Sequence, residues 1–186
     1  LGIDRVHLMG HSIGGMIAID YALRFPDKVA SLILVATTSA FGGRDESFRH
    51  RFLETRLSPL EAGKSMKDVA EKLVPDMVGS IATQEVISNA VDFMATVPTD
   101  TYRGILNCLV TFNRRDEIAK ITCPVCLIAG SADKTAPAQT MERMAAKLPD
   151  AEFHVVDGAG HLVNMETPKR TNEIVTKFIK KRFSHA

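Results

Sequence analysis

The chain has 186 residues, of which 45% are hydrophobic and 24% are charged, a balance typical of one globular domain that has room for an inserted subdomain. The net charge of +1 favours neither nucleic acid nor an anionic membrane surface as a partner, and no apolar run reaches the ~18 residues that a membrane span needs. Three cysteines at no framework spacing argue against a disulfide scaffold and favour a reducing compartment, so we expect a cytoplasmic protein.

The first predicted elements along the chain are two buried strands with a helix between them. Residues 6–9 are a short apolar run that ends at Gly10, and residues 29–36 contain a longer one. Between them, residues 12–23 have the apolar content of a well-covered helix, which we expect to end near Pro26. Two continuously apolar strands joined by a helix predict a parallel sheet that is covered on both faces.

The pattern changes between residues 41 and 120, where we find no convincing strand. Ser58-Pro59-Leu60-Glu61 is typical of a capping box with proline at the first helical position, so we expect a helix to begin there. Apolar residues then follow helical spacing up to Val74, and again over residues 86–94 and 102–110. We therefore predict a block of several short helices.

Strand-type sequence returns in the last third of the chain. Residues 125–129 and 152–156 are predicted strands, residues 137–148 are a predicted helix between them, and Thr167-Pro168 opens a last helix. The predicted fold is therefore α/β, with a parallel sheet of about four strands and an inserted helical block. The predicted division is a core of residues 1–40 and 121–186 and an insert of residues 41–120.

Gly10-His11-Ser12-Ile13-Gly14 forms a Gly-x-Ser-x-Gly pattern where the first predicted strand passes into the first helix. Such a pattern usually places a nucleophilic serine on a sharp turn. A tight turn needs small neighbours, and Gly10, Gly14 and Gly15 supply them. The alternative is a glycine-rich turn in which Ser12 only caps the helix. We favour a nucleophile, because an acid and a histidine follow Ser12 in the order that the chemistry requires.

The acid is Asp133 and the histidine is His161, and each follows a predicted strand. The carboxyl ends of parallel strands share one edge of the sheet, where open α/β sheets build their sites. A serine hydroxyl needs a neutral imidazole to take its proton, and the imidazole needs a carboxylate to orient it. We therefore predict Ser12 as nucleophile, His161 as base and Asp133 as orienting acid. Singly, Asp133 could be an ordinary turn residue and His161 a loop histidine, and Asp45 and Asp157 remain alternative acids.

Three stretches carry a resemblance to a known family: LMGHSIGGMIAIDYAL, LIAGSADKTAP and VDGAGHLVNMETP. Together they resemble the α/β-hydrolase superfamily, and the similarity extends over the whole chain. The chain looks closest to the capped branch, which includes 3-oxoadipate enol-lactonases, small carboxylesterases and carbon–carbon-bond hydrolases. The resemblance implies that residues 41–120 are a helical cap over the site.

The resemblance also implies roles for individual residues. Ser12, Asp133 and His161 would form a catalytic triad, and the backbone N–H of Ile13 would donate to the oxyanion. The family pattern implies neither a cofactor nor a metal. Two further residues are candidate substrate contacts, His11 and Val163.

The chain departs from the family in what precedes Ser12. The family's second oxyanion donor lies on the loop after an earlier strand, and only eleven residues precede Ser12 here. Two earlier strand–helix units would need on the order of 60 residues, so we expect the C-terminal part of an α/β-hydrolase. Losing an oxyanion donor costs about 10²–10³ in turnover, so we expect weak or absent activity. We also expect a homo-oligomer through the bare edge of the strand at residues 6–9.

Three functions stay open on the sequence. The first is a serine hydrolase that cleaves a small carboxylic ester or lactone through an acyl-enzyme. The second keeps the triad but hydrolyses a carbon–carbon bond or acts as a lyase. The third is a non-catalytic hydrolase-like module used in binding or assembly. Candidates to hold a substrate carboxylate are Arg103, Arg114 and Arg115, although we expect these on solvated helix faces.

Overall fold

A parallel β-sheet with helices on both faces forms the centre of the molecule. The computed structural model describes residues 2–41 and 46–183, and within them the sheet has four strands in the order β1-β2-β3-β4. Every neighbouring pair is parallel, with Leu34 level with Leu127, for example. The strands are β1 (Val6–His11), β2 (Val29–Val35), β3 (Val125–Gly130) and β4 (Ala151–Val156). The predicted α/β class and its parallel sheet are confirmed.

Helices connect the strands and fill the long segment between β2 and β3. They are α1 (Ile13–Arg24), α2 (Glu46–Glu61), α3 (Met66–Met77), α4 (Gln84–Ala95), α5 (Thr99–Thr111), α6 (Ala138–Ala145), α7 (Val163–Glu166) and α8 (Pro168–Phe183). The four-residue helix α7 lies in a segment for which the sequence predicted no helix. Among the described residues, no helix combines the length and the apolar character that crossing a membrane requires.

The sheet core explains why β2 and β3 are apolar along their whole length. One face packs against α1 and α6, where Leu34 and Leu127 join a cluster with Met141. The other face packs against α8, where Ile33 joins a cluster with Phe178. These five side chains are at most 2% exposed. Because both faces are covered, alternation between apolar and polar residues disappears from the sequence of these strands.

The helical segment from α2 to α5 has its own, smaller core. Its buried centre is formed by Met66, Val69, Tyr102 and Leu106, from α3 and α5. A stripe on α2 packs against this centre but stays partly exposed, and α2 contributes no buried residue. The described part of the segment contains no strand, only an isolated antiparallel bridge between Ala40 and Asn113 at its base.

The helix start predicted at Ser58 is wrong. Helix α2 runs through this point, with Pro59 inside it, and ends in a turn where Gly63 has a φ of 82°. Leu57 and Leu60, on either side of the proline, both pack against the core of the helical segment. Continuing the helix keeps both on one face, and this packing outweighs the hydrogen bond that the proline cannot donate.

The true capping box lies seven residues further on, at the start of α3. The Asp68 backbone N–H donates to Ser65 Oγ at 3.1 Å, and the Ser65 N–H donates to the Asp68 carboxylate at 2.8 Å. The pKa of Asp68 is lowered below its usual value, first by a hydrogen bond from the Ser65 hydroxyl to its carboxylate at 2.7 Å and then by the one from the Ser65 N–H. Both Ser58 and Ser65 have an acidic residue three positions later, so the local motif alone does not distinguish them.

Candidate active site

Ser12 occupies a sharp turn between β1 and α1. Its φ of 50° lies in the left-handed region that non-glycine residues rarely adopt, a conformation that costs on the order of 1–3 kcal/mol. The turn is held on both sides, because the Ser12 N–H donates to the Val35 carbonyl at 2.9 Å. The Ser12 carbonyl in turn accepts from Thr37 Oγ1 at 2.6 Å. The end of β2 thus keeps the strained serine in place.

Two of the three glycines around Ser12 are required by close contacts. A Cβ at Gly10 would overlap the backbone of Gly14 and Gly15, and one at Gly15 would lie 2.6 Å from the Thr37 side chain. At Gly14, no described atom lies within 4 Å of an added Cβ. The expectation that all three glycines supply necessary space is therefore wrong for Gly14, since α1 leaves this position facing open space.

Asp133 lies on the loop after β3 and is only 5% exposed. Its Oδ1 accepts hydrogen bonds from the backbone N–H groups of Thr135 at 2.7 Å and Ala136 at 2.9 Å. Its Oδ2 lies 2.9 Å from His161 Nδ1. The two backbone donors fix the carboxylate, so one oxygen remains directed at the imidazole.

His161 lies on the loop after β4 and is 2% exposed. An ionised carboxylate only accepts hydrogen bonds, so the Asp133 contact requires the proton on His161 Nδ1. In the neutral ring, Nε2 is then free to accept, and it lies 2.9 Å from Ser12 Oγ. The structure therefore brings the three predicted side chains into one hydrogen-bonded chain from serine to histidine to aspartate.

His11 precedes Ser12 and contacts His161 from the side. Its Nε2–H donates to the His161 backbone carbonyl at 2.8 Å, and the two ring centres are 5.1 Å apart. Burial lowers the pKa of His11 below its usual value, although the hydrogen bond to the carbonyl opposes this. A neutral His11 adds no positive charge beside His161. Its observed contact is with the backbone of His161, which sequence reasoning did not foresee.

The other candidate site residues have different positions. The Ile13 backbone N–H, in the first turn of α1, donates no hydrogen bond within residues 2–41 and 46–183. Val163, in contrast, is 0% exposed and packs with Ile33 and Phe178 under the sheet, which does not fit a substrate contact. Of the alternative acids, Asp157 accepts from Ser131 Oγ, and Asp45 lies outside the described residues.

Two groups that support the site were missed on the sequence. Thr37, just after β2, holds the serine turn, and Glu166 at the end of α7 accepts from the Gly160 N–H, next to His161. The only sequence signal for Glu166 was its place between the histidine and the helix that opens at Pro168. An acidic residue at the start of a helix is common for electrostatic reasons alone, so this position did not indicate that Glu166 holds the His161 loop.

Two of the three arginines that were candidates for binding a substrate carboxylate lie close to acidic side chains of the chain itself. Arg114 donates to Asp20 at 2.6 Å, which ties the end of the helical segment to α1, and Arg103 lies 3.7 Å from Glu61. Arg115 is exposed. An apolar groove of about 690 Å³ lies between α1 and α5 and includes Ile13, but Ser12 and His161 do not line it.

Within the described ranges, no three His, Cys, Asp or Glu residues are grouped so as to hold a metal ion. Cys123 and Cys126 are free and belong to core clusters on opposite faces of the sheet. Burial raises the pKa of both thiols, that of Cys126 to about 12, so neither is a reactive thiolate.

The chain has extensive similarity to known proteins. Residues 1–168 match the profile of a family described as alpha/beta hydrolase fold. RutD of Caulobacter vibrioides, named for a proposed carbamate hydrolase activity, is 27% identical over 183 residues that cover 96% of this chain and 66% of RutD. A 2-hydroxy-6-oxononadienedioate/2-hydroxy-6-oxononatrienedioate hydrolase of Pseudomonas is 27% identical over 183 residues, covering 96% of this chain and 64% of that protein.

An esterase and a solved structure extend these similarities. The pimeloyl-(acyl-carrier protein) methyl ester esterase of Aeromonas salmonicida is 26% identical over 181 residues, covering 95% of this chain and 71% of that protein. The structure of an esterase from Thermogutta terrifontis superposes with a TM-score of 0.84 at 24% identity, over 96% of this chain and 66% of that one. The chain thus spans slightly less than two thirds of RutD and of the Pseudomonas hydrolase.

Proposed function

The chain belongs to the alpha/beta hydrolase family, and we propose that it is a serine hydrolase acting on a small carboxylic ester or lactone through Ser12, His161 and Asp133. The observation that carries the proposal is the hydrogen-bonded chain of these side chains, with both links at 2.9 Å. The strained turn at Ser12 adds support, because strain of this kind is maintained where it aims a reacting group.

In the proposed reaction, Ser12 Oγ attacks the carbonyl carbon of the substrate while its proton passes to His161 Nε2. The resulting imidazolium is stabilised by the Asp133 carboxylate. The carbonyl electron pair moves onto oxygen, where the Ile13 N–H donates to it. When the intermediate collapses, His161 returns the proton to the departing alkoxide, leaving an ester on Ser12. Water then attacks this acyl-enzyme with His161 again taking the proton, which releases the acid and restores Ser12.

We also propose that the helical segment acts as a cap over this site. The support lies in two contacts between the segment and the His161 loop. The His161 N–H donates to the Met77 carbonyl at 2.6 Å, and a Cβ at Gly79 would overlap the backbone of residues 158–160. A helical segment anchored beside the proposed base is well placed to limit what reaches it.

The choice of an ester or lactone rests on similarity together with chemistry. The Aeromonas relative is named an esterase, and RutD is named for a carbamate activity. Esters, lactones and carbamates all present a carbonyl carbon to a nucleophile. The proposed site supplies the base and the oxyanion donor that such acyl transfer needs.

The proposal is tested by labelling with a fluorophosphonate, which requires an activated serine but no particular substrate. We expect labelling on the peptide that contains Ser12, none in Ser12→Ala, and labelling about 10⁴-fold slower in Asp133→Asn. Ser58→Ala, which changes an exposed serine of α2, is the matched control and should label at the wild-type rate. Absence of label at Ser12 in the full-length protein would refute the proposal.

A second candidate function is hydrolysis of a carbon–carbon bond. It is favoured by the Pseudomonas relative, whose name refers to 2-hydroxy-6-oxononadienedioate and 2-hydroxy-6-oxononatrienedioate. Parallel assays with p-nitrophenyl acetate and with 2-hydroxy-6-oxononadienedioate separate the two candidates. We expect release of nitrophenol, about 10²–10³-fold more slowly than from a hydrolase that has both oxyanion donors. Cleavage of the dienoate alone would replace the ester proposal with this one.

A further inference from the structure

We propose that Glu166 is a positioning residue for His161 that acts by tying the histidine loop to the helical segment. The proposal rests on the proposed function, since it assigns His161 as the base. Both carboxylate oxygens of Glu166 accept from the Gly160 N–H at 3.0 Å. Glu166 Oε2 also accepts from the Gly79 N–H, in the loop after α3, at 2.7 Å. One side chain thus joins two loops that are 81 residues apart.

The Glu166 carboxylate interacts mainly with these two backbone amides. The carboxylate is partly buried and forms no ion pair with any cation in the described part of the chain. Hydrogen bonds from backbone N–H groups to an ionised carboxylate are about twice as strong as neutral ones. In a glutamine of the same shape, the oxygen could take the place of Oε2, but the charge would be lost and the NH₂ group in the place of Oε1 would face the Gly160 N–H, from which it cannot accept.

The two loops that Glu166 joins are already in backbone contact. A Cβ at Gly160 would lie 2.5 Å from the Gly79 nitrogen and from the Val78 carbonyl carbon. A Cβ at Gly79 would overlap the Gly158 carbonyl. While the two loops stay together, this close approach leaves their backbones little room to shift relative to each other. Glu166 supplies the polar link at this point.

The consequence for His161 follows from how its own backbone is held. Its N–H donates to the Met77 carbonyl at 2.6 Å, and its carbonyl accepts from His11 Nε2 at 2.8 Å. Met77 is two residues from Gly79, and Gly160 immediately precedes His161. Releasing the Glu166 link therefore loosens both ends of the Met77–His161 hydrogen bond, and with it the 2.9 Å approach of Nε2 to Ser12.

The test compares Glu166→Gln, Glu166→Asp and the control Glu173→Gln, an exposed glutamate of α8 that pairs with Arg170. We expect Glu166→Gln to slow fluorophosphonate labelling by about 10- to 100-fold, since small displacements of a catalytic group have effects of this size. The pH midpoint of labelling should also shift, because the surroundings of His161 change. Glu166→Asp keeps the charge and both oxygens, so it should recover part of the rate, and Glu173→Gln should match wild type.

The order of rates distinguishes positioning by charge from simple packing. Positioning predicts wild type above Glu166→Asp above Glu166→Gln. A packing role predicts the reverse order for the two variants, because glutamine preserves the shape and aspartate does not, and this result would overturn the proposal. If Glu166→Gln fails to fold, the partial loss and shifted pH midpoint in Glu166→Asp decide the matter, with an unchanged rate and midpoint counting against it.

A readout that does not depend on activity separates this proposal from the proposed function. Amide hydrogen exchange at Gly79 and Gly160 should be faster in Glu166→Gln than in wild type, while amides in β2 and β3 should not change. If the full-length wild-type protein does not label at Ser12, the serine-hydrolase proposal fails, and a positioning role in catalysis fails with it. If the wild type labels but exchange at both glycines is unchanged in Glu166→Gln, only the Glu166 proposal is overturned.

Discussion

The sheet and the helical segment use the same kinds of apolar residue but bury them to different degrees. In the sheet, Leu34 and Leu127 have no exposed surface, because helices cover both faces. In the helical segment, most of the apolar stripe stays partly exposed, and the whole of α2 contributes no buried residue. The tightly packed sheet can thus stabilise the strained turn at Ser12. The helical segment is packed less tightly, and a few contacts with the rest of the chain fix its position.

Those anchoring contacts gather where the two regions meet. Leu162 belongs to the same apolar cluster as Val74 and Ala90 of the helical segment. The Met77 carbonyl and the Gly79 N–H form the polar links to the neighbouring loop. The proposed base therefore lies on a loop that both regions help to position. A change in the helical segment can reach the site through this loop without unfolding the sheet.

The largest expected difference between the regions concerns cavities in their cores. Leu127→Ala in β3 should lower the free energy of unfolding by about 3–5 kcal/mol, because a strand covered on both faces cannot collapse into the space. Leu106→Ala in α5 should cost about 2–3 kcal/mol, because the neighbouring helices can shift. Urea unfolding of both variants measures this difference. Equal costs would show that the helical segment is packed as rigidly as the sheet.

A second prediction concerns the serine turn, where space is limited on one side only. Gly10→Ala should destabilise the chain by about 1–3 kcal/mol and reduce labelling of Ser12, because its Cβ would overlap the backbone of Gly14 and Gly15. Gly14→Ala should instead be neutral or stabilise by about 0.5–1 kcal/mol, since alanine favours the helix. Thermal unfolding and labelling rates check both variants. A destabilised Gly14→Ala variant would contradict the open space seen there.

A third prediction tests where the helical segment is capped. Ser65→Ala should lower the free energy of unfolding by about 1 kcal/mol, because the Asp68 N–H loses its acceptor. Ser58→Ala, inside α2, should change it by less than about 0.5 kcal/mol. The two variants differ by one hydroxyl each, so urea unfolding compares them directly. A larger effect at Ser58 would restore the helix start that the sequence predicted.

The smallest expected effect is a difference in pH dependence between the regions. Burial lowers the pKa of His11, so the unfolded chain binds a proton there more readily than the folded chain does. The stability from neutral His11 is complete above its unfolded pKa of 6.5 and declines as pH falls below that value. Asp68 in the helical segment has a lowered pKa, so its contribution is present above 3.8 and is lost as pH falls through the folded value.

Urea midpoints between about pH 7.5 and pH 5 check this prediction, because that range spans the histidine transition but not the carboxylate one. Wild type should lose stability on acidification, and His11→Gln should lose less. Some slope should remain, since burial also lowers the pKa of His154. Asp68→Asn is the control and should keep the wild-type slope. Identical slopes for wild type and His11→Gln would show that His11 is not held neutral.

Sequence reasoning succeeded where the burial of an element directly produces the apolar pattern in its sequence. Continuous apolar runs at residues 29–36 and 125–129 predicted strands because short apolar runs of this length are typical of strands in a sheet covered on both faces. It failed at Ser58, where packing of Leu57 and Leu60 carries α2 past a capping signal. It also misjudged Val163, because its distance along the chain from His161 does not reveal that its side chain points into the core.

The sequence by itself determined the fold class, the positions of the four strands along the chain and the identity of the three side chains proposed for catalysis. These follow from the periodicity of apolar residues and from motifs that are contiguous in the chain. Only the tertiary structure decided that Ser12, Asp133 and His161 lie within hydrogen-bonding distance, and that Thr37 and Glu166 hold their loops. Contacts between distant loops depend on how backbones pack, and no single stretch of sequence records that packing.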